Sequence, residues 1–178
     1  MMRSIPRRAA LLALAATALA TPALADHHGA KANIVGVAAG NPDFSTLVTA
    51  VKAADLVDTL SGAGPFTVFA PSNAAFGKLP AGTVETLVKP ENKATLSKIL
   101  TCHVVAGKVV AKDLLAAIQA NGGAYTIKTV GGCQFKAAVE GGKVVITDEK
   151  GGKSAVTATD VEATNGVIHV IDSVLMPR

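Results

Sequence analysis

Glycine pairs fall at Gly122-Gly123, Gly131-Gly132, Gly141-Gly142 and Gly151-Gly152, a spacing of about ten residues. Glycine supplies the positive φ that tight hairpin turns require, so this rhythm restricts the second half of the chain to short antiparallel strands. The segments between the pairs alternate as such strands should. Phe135, Ala137 and Val139 share one face, with Gln134, Lys136 and Glu140 on the other, the pattern of a half-buried strand. The pattern predicts a β-meander of three or four strands, closed by a longer strand from Val167 to Met176. The glycine pairs are not a phosphate loop, because no helix with a following Lys-Ser or Lys-Thr is placed to use them.

The first half is written differently. From Asn33 to about Leu100 the signals are mostly helical. After Asn41-Pro42-Asp43, apolar residues at Phe44, Leu47, Val48 and Val51 keep i, i+3, i+4, i+7 spacing, with Asp43 the expected N-cap. Glu91 to Leu100 repeats the pattern through Leu96, Ile99 and Leu100. Between these helices, Phe66-Thr67-Val68-Phe69 reads as a short buried strand bounded by Gly64-Pro65 and Pro71. Ser72 then caps a brief helix that carries Phe76 and ends near Pro80. Helices in one half and strands in the other make an α+β domain.

The 178-residue chain allows one such domain and little more. Residues 1–25 read as a leader outside it. Arg3, Arg7 and Arg8 precede an apolar run from Ala9 to Ala20, and Ala23-Leu24-Ala25 follows as a small-residue cleavage site. The run falls short of the ~20 residues a membrane span needs. Arg7-Arg8 is taken as an ordinary basic start, with a twin-arginine export signal as the alternative. Cleavage before Asp26 would leave a short polar leader, 26–33, and a domain over 34–178. The basic excess, 17 Lys and Arg against 13 Asp and Glu, loses its three leader arginines on cleavage, and the mature chain then carries a net charge of +1. No basic run remains to suggest nucleic acid as a partner, and no second apolar stretch is long enough to span a membrane. A soluble, extracytoplasmic protein is expected, in an oxidising compartment.

Three segments carry a family resemblance. They are Gly64-Pro65-Phe66-Thr67-Val68-Phe69-Ala70-Pro71-Ser72-Asn73-Ala74-Ala75-Phe76, then Leu100-Thr101-Cys102-His103-Val104-Val105-Ala106-Gly107-Lys108, then Asn165-Gly166-Val167-Ile168-His169-Val170-Ile171-Asp172-Ser173-Val174-Leu175-Met176-Pro177. In order and spacing they resemble the two motifs and the intervening His motif of fasciclin domains, from about Ile34 to Pro177. The resemblance implies a wedge-like β-sandwich or barrel with several packed helices, roles in adhesion and matrix or surface attachment, and no shared catalytic residues. One departure stands out. Animal members have a Tyr before the central His, a pair associated with integrin-type adhesion, and this chain has Cys102 there. It also carries one copy of the domain, so it cannot bridge surfaces through tandem repeats, and a monomer is expected.

Few residues could carry chemistry. Cys102 and Cys133 are the only cysteines. In an exported protein they are expected to form a structural disulfide, both in strand-like segments, with two buried thiols as the alternative. A redox pair would need a close spacing such as Cys-x-x-Cys, which is absent. His103 and His169 sit in apolar runs read as strands, without enough companions for zinc. Alternation puts His169 inward with Val167 and Ile171. Both histidines are expected to be buried and neutral, held by backbone hydrogen bonds. With Asn165 and Asp172 they form the structural part of the motifs. Asp26-His27-His28 at a freed amine could form a square-planar four-nitrogen site for Cu(II) or Ni(II), against the plainer reading of a solvated polar terminus, which is preferred, and no cofactor is expected. No Gly-x-Ser-x-Gly elbow is present, and Ser72 is better explained as a cap, so an enzyme is not expected. The leading expectation is an exported adhesion or interaction module with a protein or matrix partner. The alternative is a binding protein for a small apolar ligand or envelope lipid, which would require an unfilled apolar cavity.

Overall fold

The computed structural model describes residues 32–178; the expected leader and Asp26-His27-His28 lie outside them. Helix α1 (Ile34–Ala39) starts where the Asn33 side chain accepts the Gly36 N–H. A 3₁₀ turn (Pro42–Phe44) leads into α2 (Ser45–Ala53), and α3 (Val57–Ser61) follows. The cap before α2 is Asn41 rather than Asp43: Asn41 Oδ1 accepts the Asp43 N–H at 3.0 Å. Pro42 has no N–H, so Asp43 carries the first donor of the turn, and it falls within reach of the Asn41 side chain. Strand β1 (Phe66–Pro71) runs into α4 (Asn73–Gly77), where Ser72 Oγ accepts the Ala75 N–H, the expected cap. Helix α5 (Thr83–Leu87), a second 3₁₀ turn and α6 (Lys93–Cys102) complete the helical half.

Helix α6 overturns part of the sequence reading. Its buried positions Leu96, Ile99 and Leu100 continue through Cys102, and His103 is the C-cap. Cys102 and His103 are therefore at a helix end, not in a strand, because the i, i+3, i+4 period that begins at Leu96 reaches one turn further. Strand β2 (Val104–Ala106) is only three residues long. The following α7 (Ala111–Ala120) buries Leu114 and Ile118, a helix inside the half expected to be all strand. Ala111, Leu114, Leu115 and Ile118 keep i, i+3, i+4, i+7 spacing, so the helical signal is present in the sequence between the strand-like segments.

The remaining strands are β3 (Ala124–Lys128), β4 (Gln134–Glu140), β5 (Lys143–Thr147), β6 (Lys153–Ala163) and β7 (Gly166–Ile171). They form a continuous antiparallel meander, and β7 then lies parallel to β1. The sheet order is β2-β1-β7-β6-β5-β4-β3, a nearly closed seven-stranded barrel with helices packed against it. The closing strand ends at Ile171, earlier than expected: the Asp172 N–H still donates to Ala155 O, but the Asp172 side chain, not its main-chain carbonyl, accepts the Ala155 N–H. On β4, Phe135 and Ala137 are buried as expected, but Val139 is 42% exposed, since it lies next to the Gly141-Gly142 turn.

Two large apolar clusters fill the domain. One joins α1, α2 and α6 to β1 and β7 through Phe44, Leu47, Leu100 and Ile168. The other lies inside the barrel around Phe69, Phe135, Ile146 and Ile171. The parallel β1–β7 contact is close enough to demand glycine. A Cβ on Gly166 would run into the Phe66 carbonyl, and one on Gly64 into the Asn165 carbonyl.

Candidate functional site

The barrel closes through β2 and β3, and it closes incompletely. At one end the 129–132 turn reaches across: Val130 N–H donates to Val104 O at 2.8 Å and Gly131 N–H to Thr101 O at 3.1 Å. A disulfide between Cys102 and Cys133, with Cα atoms 5.4 Å apart, fixes that end. Cys133 lies in the turn before β4, not in a strand. Beyond this staple β2 and β3 are the two unpaired edges of the sheet. Gly107, at φ 109°, ends β2, and the buried Thr67 hydroxyl holds the turn open by donating to Gly107 O and accepting the Val109 N–H.

A cleft of about 390 Å³ occupies the open part of this seam. Phe69, Val105, Val109, Leu114 and Ile127 make apolar walls, and Tyr125, Thr126 and Lys128 line it from β3. Nothing in the sequence reading pointed to it. The one available signal was Thr67, a polar residue inside an otherwise apolar strand. Two other hollows differ in kind. An apolar void of about 30 Å³ lies among α1, α2, β1 and His103, room for about one water. An open polar hollow of about 600 Å³ lies over the β3–β5 face near Gln134, Lys136 and Arg178. There Glu149 accepts the Gln134 and Arg178 N–H groups, which hold its carboxyl below the usual range.

The motif residues are not gathered into a site. His103 is buried under the C-terminal segment: its Nδ1–H donates to Ile99 O at 2.8 Å and its Nε2 accepts the Leu175 N–H at 3.0 Å. Burial lowers its pKa from 6.5 to about 4, against opposing pulls from the Ile99 carbonyl and Asp148. His169 is on the inward face of β7, stacked on Phe69 with ring centres 5.6 Å apart, and its Nε2 lies 2.7 Å from Val109 O. Its Nδ1 faces the Asp160 N–H at 3.4 Å, where β6 bulges and Asp160 takes a positive φ of 56°. Asp160 in turn accepts the Ala111 N–H and starts α7. Asn165 donates to Leu60 O and Gly62 O and accepts the Ile34 N–H, tying α3 and α1 to the β6–β7 turn. At Asp172, partial burial disfavours the charge, but hydrogen bonds from the Ala155 N–H, Lys78 and the Ser173 hydroxyl outweigh it and hold the pKa down. Among the described residues no three His, Cys, Asp or Glu side chains converge as a metal site, and no helix is long and apolar enough to cross a membrane.

Comparison with known proteins agrees with this architecture. The family model for the fasciclin domain matches residues 42–177. Protein sll1483 of Synechocystis is 55% identical over 146 residues, covering 81% of this chain and 73% of the relative. The cell surface glycolipoprotein MPB83 of Mycobacterium bovis is 39% identical over 149 residues, 81% of this chain and 60% of its own. Among solved structures, a FAS1 domain pair from the insect cell adhesion molecule fasciclin I aligns with a TM-score of 0.72 at 26% identity, over 82% of this chain and 51% of that one, so this chain spans about half of that pair. The chain belongs to the fasciclin-domain family.

Proposed function

We propose that this chain is an exported, non-catalytic interaction or adhesion module that works at the cell envelope or extracellular surface, through a protein or matrix partner. The observation that carries the reading is where the polar motif side chains are spent. His103, Asn165, His169 and Asp172 all bind backbone groups of neighbouring segments, which supports a structural role for each. A catalytic or ligand-holding group must keep a lone pair or proton for its substrate, and these have committed theirs to the fold. What remains for recognition is surface. The similarity to MPB83, a cell surface glycolipoprotein, and to fasciclin I, a cell adhesion molecule, supports an extracytoplasmic setting.

The second reading, a carrier for a small apolar ligand or lipid, rests on the apolar walls of the seam cleft, whose 390 Å³ falls in the lower part of the range of small-molecule sites, about 300–1,000 Å³. The inner void is far too small for that task. The two readings separate on purification from the native envelope. Chemical cross-linking followed by mass spectrometry should identify a protein partner in stoichiometric amount. Organic extraction that releases one lipid species per chain, with no cross-linked protein, would replace the first reading by the second.

A further inference from the structure

The seam offers more than an apolar cleft, because its walls end in unused backbone hydrogen-bonding groups. Along an antiparallel ladder, successive residues aim their N–H and C=O alternately toward the partner strand and away from it. In the β3–β4 register Ile127 pairs with Phe135, and the Thr129 N–H donates to Cys133 O. Residues 125, 127 and 129 therefore face β4, and Ala124, Thr126 and Lys128 turn their backbone groups to the free edge. On β2, Phe69 N–H to His103 O and Gly107 N–H to Pro65 O set the same alternation, which leaves the N–H and C=O of Ala106 facing the seam. The edge of β3 thus presents three consecutive outward pairs beside an apolar cleft.

Charge narrows what can lie there. Lys128 lines the cleft, and Lys108 and Lys112 flank Val109 in sequence; all three are exposed. None has an ion-pair partner among the described residues. The acidic groups around it include Asp113, which is exposed, Asp160, whose carboxylate is engaged with the Ala111 N–H, and Glu149, whose carboxylate is engaged with the N–H groups of Arg178 and of Gln134, the register partner of Lys128. A second copy of the chain would set the same lysines against one another, and like charges across an edge oppose pairing.

We propose that the β3 edge of the seam binds an extended, acidic segment of a partner protein by strand addition. Main-chain hydrogen bonds to Thr126 and Lys128 hold the segment, its alternate apolar side chains enter the cleft between Val105, Leu114 and Ile127, and its carboxylates meet Lys108, Lys112 and Lys128. The mode uses backbone bonds for affinity and alternate side-chain pockets for specificity. It rests on the interaction-module reading and names the partner chemistry for it.

The test uses the purified protein and a capped extended peptide of alternating valine and glutamate, with a valine–lysine peptide as control. The expected result is binding of the glutamate peptide, with slowed exchange and shifted resonances at the Thr126 and Lys128 amides. Lys128→Glu should weaken it about tenfold, and added salt should weaken it further. Thr126→Pro removes one outward donor at an edge position where proline is tolerated, and should abolish binding while thermal unfolding stays near wild type. Unchanged edge amides, or equal binding of the lysine peptide, overturn the proposal. A native partner captured equally by wild type and Thr126→Pro also overturns strand addition while leaving the interaction reading intact. No partner cross-linked to wild type overturns that broader reading, and the peptide experiment still decides the edge chemistry.

Discussion

His103 makes the stability of the domain depend on pH in a way that one substitution should remove. Leu175 N–H donates to its Nε2, so the proton of the neutral ring sits on Nδ1 and points at Ile99 O. Protonating Nε2 would set one N–H against another inside a buried site. Burial alone already disfavours the charged ring and lowers the folded pKa to about 4, against 6.5 for the free side chain. A depressed pKa means that the unfolded chain takes up the proton first. The stabilising contribution is therefore complete above pH 6.5 and is lost as pH falls toward 4. At about 1.4 kcal/mol per pKa unit, the shift amounts to about 3 kcal/mol over the whole window, and most of it is gone by pH 4.5. His103→Gln keeps a donor and an acceptor but cannot titrate. At pH 7 it should cost about 1 kcal/mol through imperfect hydrogen bonds, and at pH 4.5 it should be more stable than the wild type. Denaturant unfolding of both proteins at the two pH values, at fixed ionic strength, measures this directly. Carboxylate titrations are common to both and cancel in the difference. An equal stability gap at pH 7 and 4.5 would refute the assignment of His103 as a buried neutral acceptor. His103→Ala should be worse than Gln at pH 7, by about 1–3 kcal/mol for each of the two orphaned partners.

Replacing Cys102 and Cys133 together by Ala should cost roughly 3–4 kcal/mol for a loop of this length, measured by denaturant unfolding. Two freely alkylated thiols in protein taken from its native compartment would contradict the bond. Gly166→Ala puts a methyl group into the Phe66 carbonyl, and its loss of thermal stability should exceed the ~0.5–3 kcal/mol of an ordinary substitution; an ordinary loss would mean that the β1–β7 contact is looser than described. N-terminal sequencing of the mature protein should start at Asp26. A retained Met1 or Met2 would remove both the export reading and the amine that a Cu(II) site at Asp26-His27-His28 would need.

Local rules reached some of this structure and stopped at identifiable points. The glycine pairs marked every hairpin turn between β3 and β6, because a positive φ is a requirement of one or two residues and needs no distant partner. The inward face of His169 was readable by counting twos from Val167. The parallel pairing of β1 with β7 was not, since alternation tells which face is buried but not which strand lies alongside. Cys102 and His103 were misplaced because an apolar run at the junction of a helix and a strand satisfies both periods. The seam was invisible for a related reason. An unpaired edge is defined by the strand that is missing beside it, and no residue in Ala124–Lys128 records that absence.

The position that carries the adhesive Tyr-His pair in animal members carries Cys102 and His103 here, and both side chains are almost fully buried, at 0% and 2% exposure. Cys102 is joined to Cys133, and His103 holds the segment that ends the chain. Neither can meet a partner unless α6 comes off the barrel, which would break the disulfide-fixed turn and expose the apolar cluster beneath it. The same holds for the signature strands, where Thr67, Asn165 and His169 serve as clamps between segments far apart in sequence. The polar atoms of these residues are engaged within the fold, and the residues lie in the segments that carry the family resemblance. Under the proposed interaction role, partner choice then rests on residues the signature does not include. Tyr125, Thr126 and Lys128 on the free edge of β3 meet that condition, and they stand beside the one apolar cleft of ligand size that the described residues form on the seam.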